Sequence, residues 1–239
     1  MRKVVVYGAT RDWYDQVLPS IKSLLYHNDI DKVYLLTETD GFPYVLPENV
    51  QTVNVKRFDI FSPDGPNINT RYSIMAMMRG AFTKILPDET LVLSLDADTI
   101  VLDDISELFE TDMTDYYVAG AKEPHNSRES LYINAGVMLM NLEKLRDGTD
   151  DKLIAEMNTV FHDLVEQDCI NRLCTGHILE ISGAYNASQF TICNRPAKIR
   201  HWAADHRTWQ NDPLVKPYRE LYFDEIQNLK DERMKTILR

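Results

Sequence analysis

The sequence is poor in cysteine and has no excess of positive charge. Its three cysteines, Cys169, Cys174 and Cys193, are too few for a disulfide framework, and no paired spacing among them would hold zinc. They are therefore predicted to be buried thiols in a reducing compartment. Lysine and arginine number 26 against 37 aspartates and glutamates, which gives a net charge of −11. Such a surface repels phosphate backbones, so no nucleic acid is expected as a partner.

Long apolar runs are also absent. The first apolar run, residues 4–6, is too short for the apolar region of a signal peptide. No stretch approaches the roughly 20 consecutive apolar residues that a membrane-spanning helix needs. We therefore expect no transmembrane segment and a cytoplasmic location, with the protein either free or loosely attached to a membrane surface.

No repeat, low-complexity tract or linker rich in glycine and serine divides the chain. Its 239 residues, 44% of them hydrophobic, suffice for the core of one sizeable domain. The sequence therefore predicts a single domain over residues 1–239, in which the segment from about 210 to 239 forms a helical extension. Apolar residues in that segment alternate with Glu, Lys and Asp, which is typical of a surface helix.

Strand and helix patterns alternate along the chain. Short β-branched or apolar runs predict strands, and apolar residues at helical spacing predict helices between them. The predicted strands cover residues 3–7, 32–37, 50–55, 91–98, 116–121 and 136–142, and the predicted helices cover residues 14–26, 71–86 and 150–165. This alternation is typical of an α/β domain, in which helices cover a largely parallel sheet.

Two aspartates, Asp96 and Asp98, follow the apolar run at 91–95. An apolar strand cannot bury two ionised carboxylates without partners, so both are expected at its carboxyl end, where α/β sheets bind ligands. Their spacing places both side chains on one side of an extended backbone, beside the small Ala97. Oxygen ligands of this kind favour Mg²⁺ or Mn²⁺. The pair is equally compatible with an ordinary acidic turn, and the spacing alone leaves both interpretations open.

Five segments together resemble glycosyltransferase family 8, the retaining enzymes of the GT-A fold. The run LSLDADTIVLDDISELF, which starts at residue 93, resembles the DxD segment of this family. The other four segments keep the family's order along the chain: Arg79 before ILPD at 85–88, YINAGVMLMNL at 132–142, EQDCIN at 166–171 and HWAADHRTW at 201–209. The resemblance covers about residues 3–209.

The resemblance implies a Rossmann-like GT-A domain with a mixed, mostly parallel sheet flanked by helices. It also implies a retaining hexosyltransferase that moves galactose or glucose from a UDP-sugar to an acceptor. No motif identifies the acceptor, which is expected to be a glycan, a lipid-linked glycan or a protein.

The same resemblance implies roles for individual residues. Asp96, Asp98 and His201 are similar to the family's ligands for Mn²⁺, with Mg²⁺ as the other candidate ion. A divalent cation suits this chemistry, because it would offset the charge of a departing diphosphate in an acidic protein. The residues expected to contact the UDP-sugar are Ala9, Asp12, Tyr14, Arg79, Ala97, Asp98, Asn134, Gly136 and Arg207.

Within that set, Arg79 and Arg207 are expected beside the diphosphate, because guanidinium groups match phosphate oxygens. Tyr14 resembles an aromatic residue that stacks on the uracil ring. Catalytic roles are expected for Gln167, Glu166 and Arg79. Of these, Gln167 is expected on the β face of the sugar, and Glu166 is expected against a sugar hydroxyl.

Four positions depart from the family's pattern. Glu166 stands where the family usually has aspartate, and its longer side chain changes where the carboxylate reaches. In the last segment, Ala204, Arg207 and Thr208 stand in place of glycine, lysine and proline. The charge at Arg207 is kept, whereas the shape of this loop is expected to differ.

Two other functions fit part of the sequence. A haloacid-dehalogenase-like phosphatase also carries two aspartates at this spacing after an apolar strand and binds Mg²⁺. Its motif usually lies near the N-terminus, with Thr or Val four residues after the first aspartate, where this chain has Ile100. A non-catalytic protein that binds sugar nucleotides would keep Asp96, Asp98 and His201 without turnover, and Glu166 leaves this alternative open.

Overall fold

The computed structural model describes residues 2–68, 70, 72–124 and 131–237. Its strands are β1 (Val4–Gly8), β2 (Lys32–Thr37), β3 (Val50–Asn54), β4 (Leu91–Leu95), β5 (Thr99–Val101), β6 (Val118–Lys122), β7 (Ile133–Asn141), β8 (Ile178–Ile181) and β9 (Ile199–His201). Its helices are α1 (Leu18–His27), α2 (Ile74–Met78), α3 (Phe82–Ile85), α4 (Ser106–Phe109), α5 (Leu142–Leu145), α6 (Thr149–Thr159), α7 (Glu166–Leu173), α8 (His206–Asn211), α9 (Lys216–Glu220) and α10 (Phe223–Ile237).

Seven strands form the central sheet in the order β3-β2-β1-β4-β7-β6-β8. The described neighbours are parallel except for the two pairs that involve β7, which runs antiparallel to both β4 and β6. The α/β class expected from the alternating strand and helix patterns is therefore confirmed, and the sheet is mixed and mostly parallel.

Alternate residues of the central strands contribute to two separate apolar cores. In β1, Val4 and Val6 belong to one core, whereas Val5 and Tyr7 belong to the other. Successive side chains of a strand point to opposite faces of the sheet, so a strand covered on both faces is apolar throughout. This explains why the polar residues of interest lie at the ends of β4 and β7 rather than in their middle.

Several helix bounds differ from the predictions. The helix expected over 14–26 begins only at Leu18, after a 3₁₀ turn at Arg11–Trp13. The pattern over 71–86 comprises α2, a 3₁₀ turn at Arg79–Ala81 and α3, and residue 71 lies outside the described residues. The apolar spacing in these segments is helical, but it does not reveal where an α-helix changes to a 3₁₀ turn.

The prediction of one helix over 150–165 was wrong, because α6 ends at Thr159. The side-chain amide of Asn67 donates to the carbonyl oxygens of Met157 and Val160, both at 2.7 Å, and so satisfies the last turn of α6. Residues 160–165 then lead into α7. The residue that satisfies this helix end lies 90 positions before Met157 in the sequence, so the local pattern does not contain this stop.

The segment after residue 210 is not the one continuous surface helix that was predicted, because it is interrupted between α8, α9 and α10. Helix α8 ends at Asn211, just before Asp212 and Pro213, because the residue before a proline avoids helical backbone angles. Helices α9 and α10 follow, and Ile226 of α10 is buried in one of the two cores. Residues 238 and 239 lie outside the described part of the chain, and the single-domain organisation stays a prediction.

Among the helices of the described residues, none is both long and apolar enough to cross a membrane. The cytoplasmic location stays a prediction.

Candidate metal and donor site

The candidate site lies at the edge of the central sheet where β1 and β4 end and β7 begins. Strands β1 and β4 are parallel with Tyr7 opposite Leu95, and β7 is antiparallel with Val137 opposite Leu95. The backbone N–H of Asp96 donates to the carbonyl oxygen of Gly136 at 2.8 Å. The residues that follow β4 are therefore neighbours of the first residues of β7, at the strand ends where α/β sheets bind ligands.

A separate two-stranded sheet brings a distant histidine to the same edge. Strand β9 pairs antiparallel with β5, and His201 lies directly opposite Thr99. The N–H of Trp202 donates to the carbonyl oxygen of Asp98 at 3.0 Å. Because Asp98 immediately precedes β5, this register places the imidazole beside the aspartate pair.

The structure brings Asp96, Asp98 and His201 together. His201 Nε2 lies 3.4 Å from Asp98 Oδ1 and 3.5 Å from Asp96 Oδ2. His201 and Asp98 are buried, whereas the Asp96 side chain is 36% exposed and opens the cluster to solvent. Burial of the imidazole opposes its charged form, but the charges of Asp98 and Asp96 favour that form more strongly. The pKa of His201 is therefore raised.

These three side chains fit a divalent cation. One ligand atom from each lies within 4.8 Å of the other two. Around an ion such as Mg²⁺, with ligands at about 2.1 Å, adjacent ligand atoms are about 3 Å apart, which is close to the observed separations. Two carboxylates and one imidazole suit Mn²⁺ or Mg²⁺ better than they suit a soft metal.

Arg79 joins the end of β4 to the start of α7. Its buried guanidinium donates from Nε to Ser94 Oγ at 2.9 Å and from Nη1 to Glu166 Oε1 at 2.5 Å, and Nη2 donates to Asp96 Oδ1. One fixed positive charge is therefore shared between two carboxylates. The arrangement orients Asp96 toward the cluster and keeps Glu166 from being a buried charge without a partner.

Glu166 is the first residue of α7 and is buried. Burial raises the pKa of its carboxyl to about 7 against the opposing charge of Arg79, and the charge of Asp96 adds to the rise. The preceding residue, Val165, has a φ of 44°, in a region that β-branched side chains rarely adopt. A carboxyl that titrates near neutrality beside strained backbone is typical of a functional site.

Gln167 and Asn134 both bind Glu123, a buried carboxylate that the sequence analysis did not single out. Glu123 Oε2 accepts from Asn134 Nδ2 at 2.8 Å and from Gln167 Nε2 at 3.2 Å. At its other end, Gln167 Oε1 accepts from the N–H of Ala135 at 2.9 Å. Glu123 directly follows β6, so its place after an apolar strand was a signal of the same kind as the one that pointed to Asp96.

Gly136 lies against the imidazole of His201. A Cβ added at residue 136 would lie 2.6 Å from His201 Nδ1 and would overlap Cε1. The absence of a side chain here therefore leaves the space that the imidazole occupies. The expected contact of Gly136 with a donor stays a prediction.

Four more of the expected donor contacts lie near these strand ends or after β9. Ala9 is buried directly after β1, and Asp12 is exposed in the next turn, where its Oδ1 accepts from Thr10 Oγ1 at 2.6 Å. Ala97 is half-buried between the two aspartates, and Arg207 is exposed on α8. Their contacts with a donor also stay predictions.

The ring of Tyr14 is more buried than a ring that stacks on a base needs to be. Its ring is buried and packs against Phe42, with ring centroids 4.9 Å apart. Its hydroxyl accepts from the N–H of Glu38 at 3.0 Å and forms a hydrogen bond with Thr39 Oγ1 at 3.0 Å. The tyrosine thus anchors the loop that follows β2, and its stacking on uracil stays a prediction.

A model of the family described as glycosyl transferase family 8 matches residues 4–211. The chain belongs to this family. The matched range contains every residue to which a role was assigned above, from Ala9 to Arg207. Membership of glycosyl transferase family 8 confirms the family that the five segments indicated and decides against the phosphatase alternative.

Relatives of known sequence or structure agree with this membership. Glycosyltransferase GlyA of Streptococcus pneumoniae is 26% identical over an alignment that covers 93% of this chain and 34% of GlyA. The crystal structure of the galactosyltransferase LgtC with donor and acceptor sugar analogues has a TM-score of 0.69 at 19% identity, covering 96% of this chain and 95% of that one. Glycosyltransferase GlyE of Streptococcus pneumoniae has a TM-score of 0.73 at 22% identity, covering 99% of this chain and 64% of that one.

These likenesses confirm the GT-A fold that the resemblance implied. The present chain spans about a third of the length of GlyA and about two thirds of the GlyE chain. The family 8 match, by contrast, ends at the last residue of α8, so helices α9 and α10 follow the matched range.

Proposed function

We propose that this protein is a metal-dependent, retaining glycosyltransferase that transfers a hexose, galactose or glucose, from a UDP-sugar to an acceptor. The observation that carries the proposal is the convergence of Asp96, Asp98 and His201 at the ligand-binding edge of a GT-A sheet. LgtC, whose structure is similar, is a galactosyltransferase, which supports galactose as one of the two candidate sugars.

Asp96, Asp98 and His201 would hold the cation, Mn²⁺ or Mg²⁺. When bound, the ion would act as a Lewis acid that neutralises the diphosphate leaving group. The chain needs such local compensation, because its net charge of −11 otherwise repels a nucleoside diphosphate. Arg79 contributes further positive charge to the same place, and its contact with Asp96 keeps that carboxylate oriented.

Arg207 is proposed to bind the diphosphate from the solvent side. It is exposed on α8, six residues after His201, so its long side chain is available to an incoming anion. Arg79, by contrast, is buried beneath the aspartates.

The sugar would lie against α7 and the start of β7. Gln167 is held at both ends of its amide, by Ala135 and by Glu123, so its position is set before a substrate arrives. Such an amide oxygen suits the β face of a sugar on which positive charge develops. Glu166, which already accepts a hydrogen bond from Arg79, is proposed to accept another from a sugar hydroxyl.

The experiment that tests the proposal is incubation with UDP-galactose and with UDP-glucose, in the presence of Mn²⁺ or of a chelator, with measurement of released UDP. UDP release that requires the metal is expected with at least one donor. The matched variant Asp98→Asn removes one ligand charge at nearly constant shape. It is expected to abolish both UDP release and metal-dependent UDP binding.

The non-catalytic alternative gives a different result in the same experiment. A binding protein would show metal-dependent UDP binding by calorimetry without any release of UDP from either donor. UDP binding that is equally strong in Asp98→Asn and in the wild type would contradict the proposed metal site itself.

A further inference from the structure

Asn186, which has no role in the reaction proposed above, lies next to the candidate metal ligand His201. It is fully buried at the end of a 3₁₀ turn, Gly183–Asn186. Its amide Oδ1 lies 2.8 Å from His201 Nδ1, and its Nδ2 lies 2.8 Å from Asn134 Oδ1. The two ends of an amide have nearly the same shape, so their orientation must follow from what each partner can donate or accept.

The orientation of Asn134 is set by groups whose roles are unambiguous. The backbone N–H of Gly136 can only donate, and it reaches Asn134 Oδ1 at 3.0 Å, so this end of the amide is the oxygen. The opposite end donates from Nδ2 to Glu123 Oε2 at 2.8 Å. Since the Asn134 oxygen accepts, the end of Asn186 that faces it must be the NH₂ group.

It follows that the oxygen of Asn186 faces His201 Nδ1, and this oxygen can only accept a hydrogen bond. To form this hydrogen bond, the imidazole must carry a proton on Nδ1. Nε2, which lies 3.4 Å from Asp98 Oδ1 and 3.5 Å from Asp96 Oδ2, is then the nitrogen left to bind a cation.

We infer that Asn186 is a positioning residue: its oxygen, turned toward His201 by Asn134, accepts from Nδ1–H and so holds the ring with Nε2 facing the cation. The inference rests on the metal role proposed for His201. Partners of this kind hold the ring and the tautomer of a metal-binding histidine, and their loss typically weakens metal binding by about 10- to 100-fold.

The direct test is ¹⁵N NMR of the wild-type protein, metal-free and saturated with Mg²⁺. Long-range ¹H–¹⁵N correlations distinguish a protonated ring nitrogen from an unprotonated one, and comparison with His201→Gln identifies the His201 signals among those of the six histidines. The expected spectra show Nδ1 protonated in both samples, whether or not Nε2 also carries a proton in the metal-free one. An unprotonated Nδ1 in the metal-free sample would overturn the inference without the use of any Asn186 variant.

Two variants then separate positioning from mere packing. Asn186→Leu removes the acceptor at similar volume, and we expect Mn²⁺ binding about 10- to 100-fold weaker by calorimetry. Asn186→Asp keeps an oxygen that accepts from Nδ1–H but turns its second oxygen toward Asn134 Oδ1, so its Mn²⁺ affinity should lie between those of the wild type and Asn186→Leu.

Equal Mn²⁺ affinities of the wild type and Asn186→Leu would reject the positioning role. If the metal-free wild type shows Nδ1 protonated but binds no Mn²⁺, the proposed metal-dependent function fails while the hydrogen bond from Nδ1 to Asn186 stands.

Discussion

At residue 136, a side chain would occupy the space that the imidazole of His201 fills. Substitution Gly136→Ala places a Cβ 2.6 Å from Nδ1, so the ring must leave the position in which Nε2 faces the aspartate pair. We expect at least about a tenfold loss of Mn²⁺ affinity, measured by calorimetry, because the third ligand no longer reaches the ion.

The matched control is Gly41→Ala, where an added Cβ would have no atom within 4 Å. This variant should bind Mn²⁺ as the wild type does. If Gly136→Ala also retains wild-type affinity, then either His201 is not a ligand or the loop after β9 adapts without loss of the site.

Glu166 makes stability depend on pH in an unusual direction. Burial raises the pKa of this carboxyl from 4.5 to about 7 in the folded protein, against the opposing charge of Arg79. Between these two values the folded state binds more protons than the unfolded state. The contribution of Glu166 to stability is therefore largest below pH 4.5 and is lost as the pH rises toward 7.

The measurement is the free energy of unfolding of metal-free wild type and Glu166→Gln as a function of pH. Subtracting the variant removes the titration of all other carboxyls. The wild-type value minus that of the variant is expected to fall by about 1–3 kcal/mol as the pH rises through this window. A difference that stays flat or increases with pH would show that Arg79 holds Glu166 ionised throughout.

Among the connections between elements, the loop from β9 to α8 contains a residue whose backbone is unfavourable. Ala204 has a φ of 59°, a left-handed conformation that costs about 1–2 kcal/mol for residues other than glycine. Its side chain is exposed, so replacing it removes little packing. Ala204→Gly should therefore raise the free energy of unfolding, by up to about 1 kcal/mol after the added chain entropy of glycine is subtracted.

Ala155→Gly is the opposing control for this loop, because Ala155 is exposed within α6. The same substitution there should lower the free energy of unfolding by about 1 kcal/mol. Urea denaturation of both variants shows whether each substitution raises or lowers the free energy of unfolding. A destabilised Ala204→Gly variant would show that the left-handed backbone at residue 204 is not the conformation the loop prefers.

Elements differ in how far the local pattern determines them. Strand β2 has the predicted bounds, because a strand packed between neighbours needs an unbroken apolar or β-branched run. The end of α6 depends on Asn67, and the position of His201 depends on the register of β9 with β5. Both are contacts between distant parts of the chain, and residue spacing carries no information about them.

The same distinction applies to the candidate site. Asp96 and Asp98 were predictable from their place after an apolar strand, and His201 from its motif. Glu123 and Asn186 were not singled out: Glu123 follows an apolar strand, as Asp96 does, but without a second aspartate beside it, and a lone amide has many ordinary positions on a surface. Their significance comes from burial and from the partners that the fold gives them.

For the molecule as a whole, the acidic net charge should make the metal and the nucleotide bind cooperatively. UDP alone meets Asp96 and Asp98 in a protein with a net charge of −11, whereas a bound cation would reverse the sign of the local charge. UDP alone should therefore raise the melting temperature little, and Mn²⁺ alone should raise it by less than the two ligands together. Together, at about 100 times their dissociation constants, they should stabilise the protein by about 3 kcal/mol, or roughly 5–10 °C for a chain of this size.

Thermal denaturation with each ligand separately and with both provides the measurement, and Asp98→Asn provides the control. In that variant the combined shift should not exceed the sum of the two separate shifts. Raised ionic strength should weaken the repulsion that UDP alone experiences and so reduce the difference between combined and separate shifts. If the wild-type shifts are simply additive at low salt, then the cation does not bridge the acidic cluster and the nucleotide, and the two ligands occupy independent sites.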